Sequence, residues 1–309
     1  MIFQQMDQSK HTDPAAETVR VKQGSSADYR DALTRAWGWH TWQPRWLPGP
    51  LTGAVRRLAL QRLRRGGLIE CRLDSGQRFL VDPSEVIQCH IGTRGEWEGD
   101  IYQAVRPLVH DGDIVLDIGA HVGYSTVLFA DWVGPAGKVY SFEPYAPHVE
   151  RILSNLQMNE LVDRVEIISA AVSDVEGSAD FYTAVGLNSG VGSLLRPRRS
   201  ATSMTVSTIR LDDWIRQHAI INVALCKLDI EGAEGAALKG MSDTLEAHVV
   251  KTFLIELHPA ELLTMGQSVE GVLSYIAEAG YDISYWHPEG GFVRQPPPNG
   301  FAYVLAATR

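Results

Sequence analysis

Three acidic side chains stand where predicted β-strands end. Asp117 closes an apolar run, Glu143 follows the next run along the chain, and Asp229 follows a later one. Ligands of open parallel sheets bind in the crevice outside the carboxyl ends of the strands, so we expect these acids to lie close together. Gly119 and Gly123 come directly after Asp117 and indicate a tight turn that leads into a helix. Together these residues predict a site for a nucleotide-type cofactor.

The sequence of the turn between Gly119 and Gly123 distinguishes between the candidate cofactors. Its glycine spacing departs from the Gly-x-Gly-x-x-Gly pattern of dinucleotide sites, and the chain has no Walker sequence ending in Gly-Lys-Ser/Thr. The carboxylate of Asp117 would repel a pyrophosphate, whereas it would attract the ammonium and sulfonium groups of S-adenosylmethionine. Glu143 can accept hydrogen bonds from both hydroxyls of a ribose. S-adenosylmethionine is therefore the favoured cofactor.

Three alternatives to this site stay open. Asp117 and Glu143 could only cap helices, as acids at strand–helix junctions commonly do. The chain could be a nicotinamide-dependent oxidoreductase, although the glycine spacing disfavours it. It could also be a non-catalytic binding protein that keeps the fold, although three acids in the expected order argue against that.

The elements that must position these acids alternate along the chain. Predicted strands cover residues 114–118, 138–142, 165–169, 224–228 and 252–257. Predicted helices cover residues 98–109, 148–159, 233–238 and 269–279. Strands separated by helices form a parallel sheet with right-handed crossovers. We therefore predict an α/β fold with a doubly wound, mostly parallel sheet, closed at one edge by an antiparallel pair at residues 281–285 and 302–306.

The chain divides into three predicted parts. Residues 1–26 are polar and patternless and are expected to be a disordered tail. Residues 27–97 form a helical and β-hairpin extension for contacts with the substrate or with a second copy in a homodimer. Residues 98–309 form the cofactor-binding domain. Within it, residues 186–203 are rich in glycine, serine and arginine and predict a long surface loop that closes over the substrate as a lid.

The extension has two distinctive segments. Residues 37–46 hold half of the tryptophans, and residues 52–65 read as a basic helix without an acid. Such a helix could rest on a membrane surface or an acidic partner, or it could be a solvated helix beside the main domain. Residues 68–73 and 78–81 alternate around Asp74-Ser75-Gly76 and predict a hairpin.

Composition limits the partners and the compartment. The formal net charge of −9 argues against nucleic acid as a partner, because a binding surface must neutralise phosphates. The three cysteines are widely spaced and suit neither a disulfide framework nor a zinc site, which favours a reducing compartment. No apolar run approaches ~18 residues, so no membrane span is expected. We expect a cytoplasmic protein.

With these residues in hand, the chain resembles the FkbM-like S-adenosylmethionine-dependent methyltransferases, a branch of the class I methyltransferase superfamily with a Rossmann-like fold. The resemblance runs from about residue 69 to residue 285, and its most specific part is the Lys-x-Asp-x-Glu-Gly-x-Glu element. The matching segments are Gly95-Glu-Trp-Glu98, Leu116-Asp-Ile-Gly-Ala-His-Val-Gly-Tyr124, Phe142-Glu-Pro144, Asn155, Asn159, Ala170-Ala-Val-Ser-Asp174, Lys227-Leu-Asp-Ile-Glu-Gly-Ala-Glu234 and Ile255-Glu-Leu-His258.

The resemblance implies a cofactor-binding role for twelve positions. The glycine turn would line the methionine half, Glu143 would hold the ribose, and Ala171 would border the adenine. Glu98 would reach the methionine ammonium, or it would only favour its helix N-terminus. The positions are Glu98, Asp117, Gly119, Ala120, His121, Gly123, Tyr124, Ser125, Glu143, Pro144, Ala171 and Asp229. The resemblance also implies an acceptor hydroxyl on a natural product or a sugar, with a nitrogen or carbon acceptor as the alternative.

The transfer step points to Asp229, Glu231 and His258 as catalytic residues. Methyl transfer depends on alignment, and a hydroxyl acceptor also needs a base for its proton, a role that suits Glu231 or His258. The acids could instead cap a helix, His258 could be a loop-packing residue, and Lys227 could only neutralise buried carboxylates. Asp229, Glu231 and Glu256 could also hold a divalent cation. We expect no metal, because Leu257 rather than a second acid follows Glu256.

Overall fold

The computed structural model describes residues 67–184, 192–195, 201–297 and 302–308. The predicted tail at 1–26, the tryptophan cluster at 37–46 and the basic helix at 52–65 lie outside these residues, as does most of the predicted lid at 186–203.

The described residues form fourteen strands and nine α-helices. The strands are β1 Ile69–Arg72, β2 Arg78–Val81, β3 Ile114–Ile118, β4 Lys138–Phe142, β5 Val165–Ile168, β6 Ala171–Val172, β7 Gly177–Ala184, β8 Gly192–Ser193, β9 Ala201–Ile209, β10 Val223–Leu228, β11 Val250–Glu256, β12 Tyr281–His287, β13 Gly291–Val293 and β14 Tyr303–Thr308. The helices are α1 Val86–Arg94, α2 Gly99–Val105, α3 Tyr124–Trp132, α4 Ala146–Met158, α5 Leu211–Gln217, α6 Glu234–Lys239, α7 Ser242–Glu246, α8 Pro259–Thr264 and α9 Val269–Glu278.

The main sheet has eight strands in the order β13-β12-β14-β11-β10-β3-β4-β5. The five strands from β11 to β5 pair in parallel, whereas β14, β12 and β13 pair antiparallel with their neighbours. This confirms the predicted doubly wound, mostly parallel α/β sheet with an antiparallel edge. The prediction missed β13, a three-residue strand too short to show a period of two.

Strand residues alternate between two hydrophobic clusters, one on each face of the main sheet. Val115 and Leu225 belong to one cluster, and Leu116 and Cys226 belong to the other. Because successive strand side chains point to opposite faces, both faces of the sheet are covered. The first cluster also contains Phe79 of the hairpin. The hydrophobic core therefore runs across the proposed domain boundary at residue 97.

The hairpin β1–β2 is confirmed, and helix α4 holds it by two asparagine side chains. Asn155 Oδ1 accepts from the Leu80 amide at 2.8 Å, while its Nδ2 donates to the Val122 carbonyl at 3.0 Å. One helical turn later, Asn159 accepts from the amide of Arg78 and donates to its carbonyl. The two asparagine side chains therefore form hydrogen bonds to the backbone of β2, as a neighbouring strand would.

A second sheet, in the order β6-β9-β7-β8, was not predicted. The expectation of a continuous loop over 186–203 is wrong at residues 192–193 and 201–203, which lie in β8 and β9. Serine and threonine dominate β9, and the buried cluster of this sheet holds only Ala171, Phe181 and Val206. So small a core leaves little apolar periodicity in the sequence.

The helix predicted over 98–109 is shorter than expected. Glu98 has left-handed backbone with φ 53° and precedes α2, which ends at Val105 and continues as a 3₁₀ turn over Arg106–Leu108. Pro107 supplies no backbone donor to the helix interior, which accounts for the early end. No helix among the described residues has the length and apolar character that crossing a membrane requires.

Candidate active site

A cleft of about 1010 Å³, including its open mouth, lies at the carboxyl ends of β3, β4 and β10. Eleven of the predicted site residues line it: Glu98, Gly119, Ala120, His121, Tyr124, Ser125, Glu143, Pro144, Ala171, Asp229 and Glu231. The cleft wall does not include Asp117, Gly123 or His258.

Glu143 is buried in the cleft wall with both carboxylate oxygens held in place. Its Oε2 accepts from the His121 amide and its Oε1 accepts from the Tyr145 amide, each at 2.9 Å. The His148 ring nitrogen lies 3.4 Å from Oε1. Each carboxylate oxygen has two lone pairs, so one on each oxygen stays available to a ligand hydroxyl.

Asp117 lies beneath the cleft rather than on its wall. It is fully buried and accepts hydrogen bonds from the hydroxyls of Ser125 and Thr126, with Lys227 Nζ 3.9 Å away. Burial raises its pKa. These neighbours occupy its oxygens and tie Asp117 to the turn, and its predicted cofactor contact stays a prediction. Gly123 lies against α4, because a Cβ at this position would be 3.1 Å from Ile152.

The turn after β3 depends on Gly119. Its φ is +82°, and a Cβ at this position would lie 1.8 Å from the carbonyl oxygen of Asp229. No larger residue fits, so Gly119 allows the ends of β3 and β10 to touch. Three non-glycine residues of the cleft, Glu98, His121 and Glu231, also have positive φ. Such strained backbone is common at functional sites.

Lys227 joins the two strand ends through its ammonium group. Nζ donates to Asp229 Oδ2 at 3.0 Å and to the Gly119 carbonyl at 3.3 Å. Burial would lower the pKa of Lys227, but Asp229, Tyr102 and Asp117 outweigh burial and raise it. Lys227 is therefore a permanent buried cation that fixes Oδ2 of Asp229. The other oxygen, Oδ1, faces His258, which follows the neighbouring strand β11.

His258 lies behind the cleft wall at the centre of four carboxyl groups. Its Nδ1 donates to the buried Glu234 Oε1 at 2.8 Å, whereas Nε2 lies 3.5 Å from Glu231, 3.7 Å from Glu256 and 3.9 Å from Asp229. Burial alone would lower the pKa of His258, but Glu234, Glu231 and Asp229 raise it to about 10. The surrounding carboxyl groups therefore favour the protonated imidazole.

Tyr303 of the edge strand β14 connects Glu98 and Glu256. Its hydroxyl contacts a carboxyl oxygen of each. A hydroxyl has one proton and can donate it to only one of them, so this arrangement favours a proton on the other carboxyl group. In agreement, burial raises the pKa of Glu98 to about 7, and burial with Asp229 raises that of Glu256 to about 8.

Sequence reasoning missed part of this site. Glu234 and Glu256 stood in quoted motifs without a firm role, and Tyr303 had no signal because its strand is remote in sequence. The cleft walls also include residues from α1 and the second sheet, whose positions follow only from the tertiary fold. These wall residues are Ile87, Ile91, Phe181, Gly192, Ser193 and Leu194.

Comparison with known proteins gives a family match and several distant relatives. A family model described as the methyltransferase FkbM domain matches residues 117–283. The chain is similar to the 2-O-methyltransferase NoeI of Sinorhizobium fredii, with 27% identity over 46% of this chain and 63% of the relative. It is also similar to the 31-O-demethyl-FK506 methyltransferase FkbM of Streptomyces tacrolimicus, with 28% identity over 43% of this chain and 60% of the relative.

A third relative is the hexuronic acid methyltransferase AglP of Haloferax volcanii, with 24% identity over 59% of this chain and 70% of the relative. The matched region therefore spans less than two thirds of the first two relatives and slightly more of the third.

Proposed function

Because the chain belongs to the FkbM methyltransferase family, we propose that it transfers a methyl group from S-adenosylmethionine to a hydroxyl oxygen of a small molecule or a sugar. The cofactor of this family is S-adenosylmethionine, which supplies a methyl group carried on a positively charged sulfur. The observation that carries the proposal is the cleft that joins the fixed carboxylate of Glu143 to the acids around Asp229.

The residues of the cleft fit this cofactor. Glu143 keeps one lone pair on each oxygen for the two ribose hydroxyls, while Ala171 and Phe181 supply an apolar wall for the adenine. Glu98 and Asp229 offer carboxyl groups to the ammonium at the opposite end. A cationic ligand suits this end, because burial and the neighbouring carboxyl group of Asp229 both raise the pKa of Glu98 and so oppose a second uncompensated negative charge.

The acceptor class rests on the relatives and on the acids of the site. Two of the relatives are named as O-methyltransferases at a stated position, and the third as a methyltransferase of a sugar acid. A hydroxyl acceptor must lose its proton during transfer, and the site supplies several carboxyl groups for it. We infer an oxygen acceptor over a nitrogen or carbon one.

Glu231 is our proposed base. It lines the cleft beside Asp229, and burial raises its pKa to about 7, near the value at which a base works best in neutral solution. His258 is the other candidate, but it lies behind the cleft wall, with Nδ1 bound to Glu234 and Nε2 facing three carboxyl groups. Its proposed role is to hold Asp229 and Glu231 in position.

Calorimetry with the demethylated product S-adenosylhomocysteine tests the cofactor site. Glu143→Ala should weaken binding at least ~10-fold, because two ribose hydroxyls lose their acceptor. Glu150→Ala, at an exposed position of α4, is the matched control and should leave the affinity unchanged. Equal affinity in Glu143→Ala and the wild type would remove the assignment.

A second measurement tests the acceptor. The purified protein is incubated with methyl-labelled S-adenosylmethionine and a panel of sugars, hexuronic acids and macrolide alcohols, each beside its amine analogue. We expect label in an O-methyl group, identified by mass spectrometry and NMR. Label that enters only amines or carbon would overturn the oxygen acceptor while leaving methyl transfer intact.

A further inference from the structure

Three side chains near the cleft direct one ligand atom each toward a common point. These atoms are Asp229 Oδ1, Glu256 Oε1 and His258 Nε2, with the nitrogen 3.9 Å and 3.7 Å from the two oxygens. One ligand atom from each residue lies within 4.8 Å of the others. Neighbouring ligands of an octahedral cation with bonds of about 2.1 Å lie about 3 Å apart, so the nitrogen needs to approach each oxygen by only roughly 1 Å.

The other atom of each side chain is already held by a separate partner. Lys227 binds Asp229 Oδ2 at 3.0 Å, and Tyr303 contacts Glu256 Oε2. Glu234 binds His258 Nδ1 at 2.8 Å and is itself fully buried. Ligands of bound metals are oriented in this manner, with the far nitrogen of a histidine donating to a carboxylate. The partners therefore fix all three ligands toward one spot.

The charge at this spot supports a cation. Glu231 and Glu98 add two more carboxyl groups near Asp229, Glu256 and Glu234, and the basic side chains of Lys227 and His258 contact this cluster. A divalent ion at this spot would offset the negative charge of these carboxyl groups.

We propose that Asp229, Glu256 and His258 bind a divalent cation of the Mn²⁺ type through Oδ1, Oε1 and Nε2. A mixed set of two carboxylates and one imidazole suits transition-metal ions better than Mg²⁺, which prefers oxygen ligands. Three protein ligands leave positions open, and Asp229 lines the cleft. An acceptor oxygen is the ligand that fits these positions, a step that rests on the proposed methyl transfer. This proposal departs from the sequence-based expectation of a metal-free site.

The experiment is Mn²⁺ binding, followed by electron paramagnetic resonance and calorimetry on full-length protein stripped with a chelator. We expect one Mn²⁺ per chain in the wild type and affinity at least ~10-fold weaker in Glu256→Gln and in His258→Gln. Glu98→Gln is the matched control, because Glu98 contacts the same Tyr303 hydroxyl but is not a ligand. It should bind Mn²⁺ within about 3-fold of the wild type, a modest electrostatic effect.

Two results would overturn the proposal. One is a wild-type protein that binds S-adenosylhomocysteine but no stoichiometric Mn²⁺. The other is a Glu98→Gln variant that loses as much affinity as Glu256→Gln, which would mean nonspecific attraction to negative charge. Melting temperatures show that each variant is folded. The Mn²⁺ signal is read without cofactor, so failure to bind S-adenosylhomocysteine would count against the proposed function and not against this site.

Discussion

At the residue scale, the three acids that follow strand ends lie in different surroundings. Asp117, Glu143 and Asp229 share the position of a strand end, yet Asp117 is buried under the turn while Glu143 faces the cleft. The difference depends on Ser125 and Thr126, whose hydroxyls occupy the oxygens of Asp117. Such pairing between residues eight or nine positions apart is a property of the folded turn. A sequence pattern alone cannot specify it.

The proposed base gives a prediction at this scale. Glu231→Gln keeps the size of the side chain but removes proton acceptance, so turnover should fall ~10²–10⁴-fold. Affinity for S-adenosylhomocysteine should stay within about 3-fold, because Glu143 and the glycine turn hold the cofactor in our proposal. Steady-state kinetics and calorimetry measure the two quantities.

Glu261→Gln serves as the comparison for Glu231→Gln, since this carboxyl group of α8 lies near Glu231 but outside the cleft wall. Its turnover should match the wild type. If Glu231→Gln retained full turnover in the folded protein, proton removal would belong to another group, and alignment would account for the rate.

At the element scale, prediction succeeded where apolar runs were long and separated by helices. Strands β3 and β4 have the predicted bounds, and β10 and β11 differ by a few residues at their ends. Prediction failed for the second sheet, because serine and threonine fill five of the nine positions of β9. That sheet matters to the site, since Ser193 of β8 donates to the Glu231 carbonyl at 2.9 Å.

The asparagine pair of α4 gives a prediction about how elements are joined. Asn155→Ala removes the partners of two buried backbone groups, the Leu80 amide and the Val122 carbonyl. Unfolding in urea should show a loss of ~2–4 kcal/mol. Asn159→Ala, at a more exposed position on the same helix, should cost ~1 kcal/mol or less. Equal losses of unfolding free energy in the two variants would contradict the expectation that the buried hydrogen bonds of Asn155 contribute more stability.

At the scale of the whole molecule, one hydrophobic core carries both the hairpin and the cofactor cleft. Phe79 of β2 and Tyr124 of α3 meet edge to face at 6.1 Å, and Tyr124 also lines the cleft. The hairpin therefore supports the cleft, although we predicted it as part of an extension. Among the described residues, the earliest on the cleft wall is Ile87.

This arrangement predicts that truncation affects cofactor binding and methyl transfer differently. A chain that begins at residue 67 keeps the hairpin and the complete described cleft, so its affinity for S-adenosylhomocysteine should stay within about 3-fold of the full chain. We propose that residues 27–66 contribute to acceptor or subunit contacts. Methyl transfer to the acceptor identified with the labelled panel should therefore fall at least ~10-fold.

Calorimetry, turnover measurements and light scattering distinguish the outcomes. A change in mass along with lost turnover would assign these residues to a homodimer, and lost turnover at constant mass would assign them to the acceptor. Full turnover in the truncated chain would show that the described residues alone recognise the acceptor.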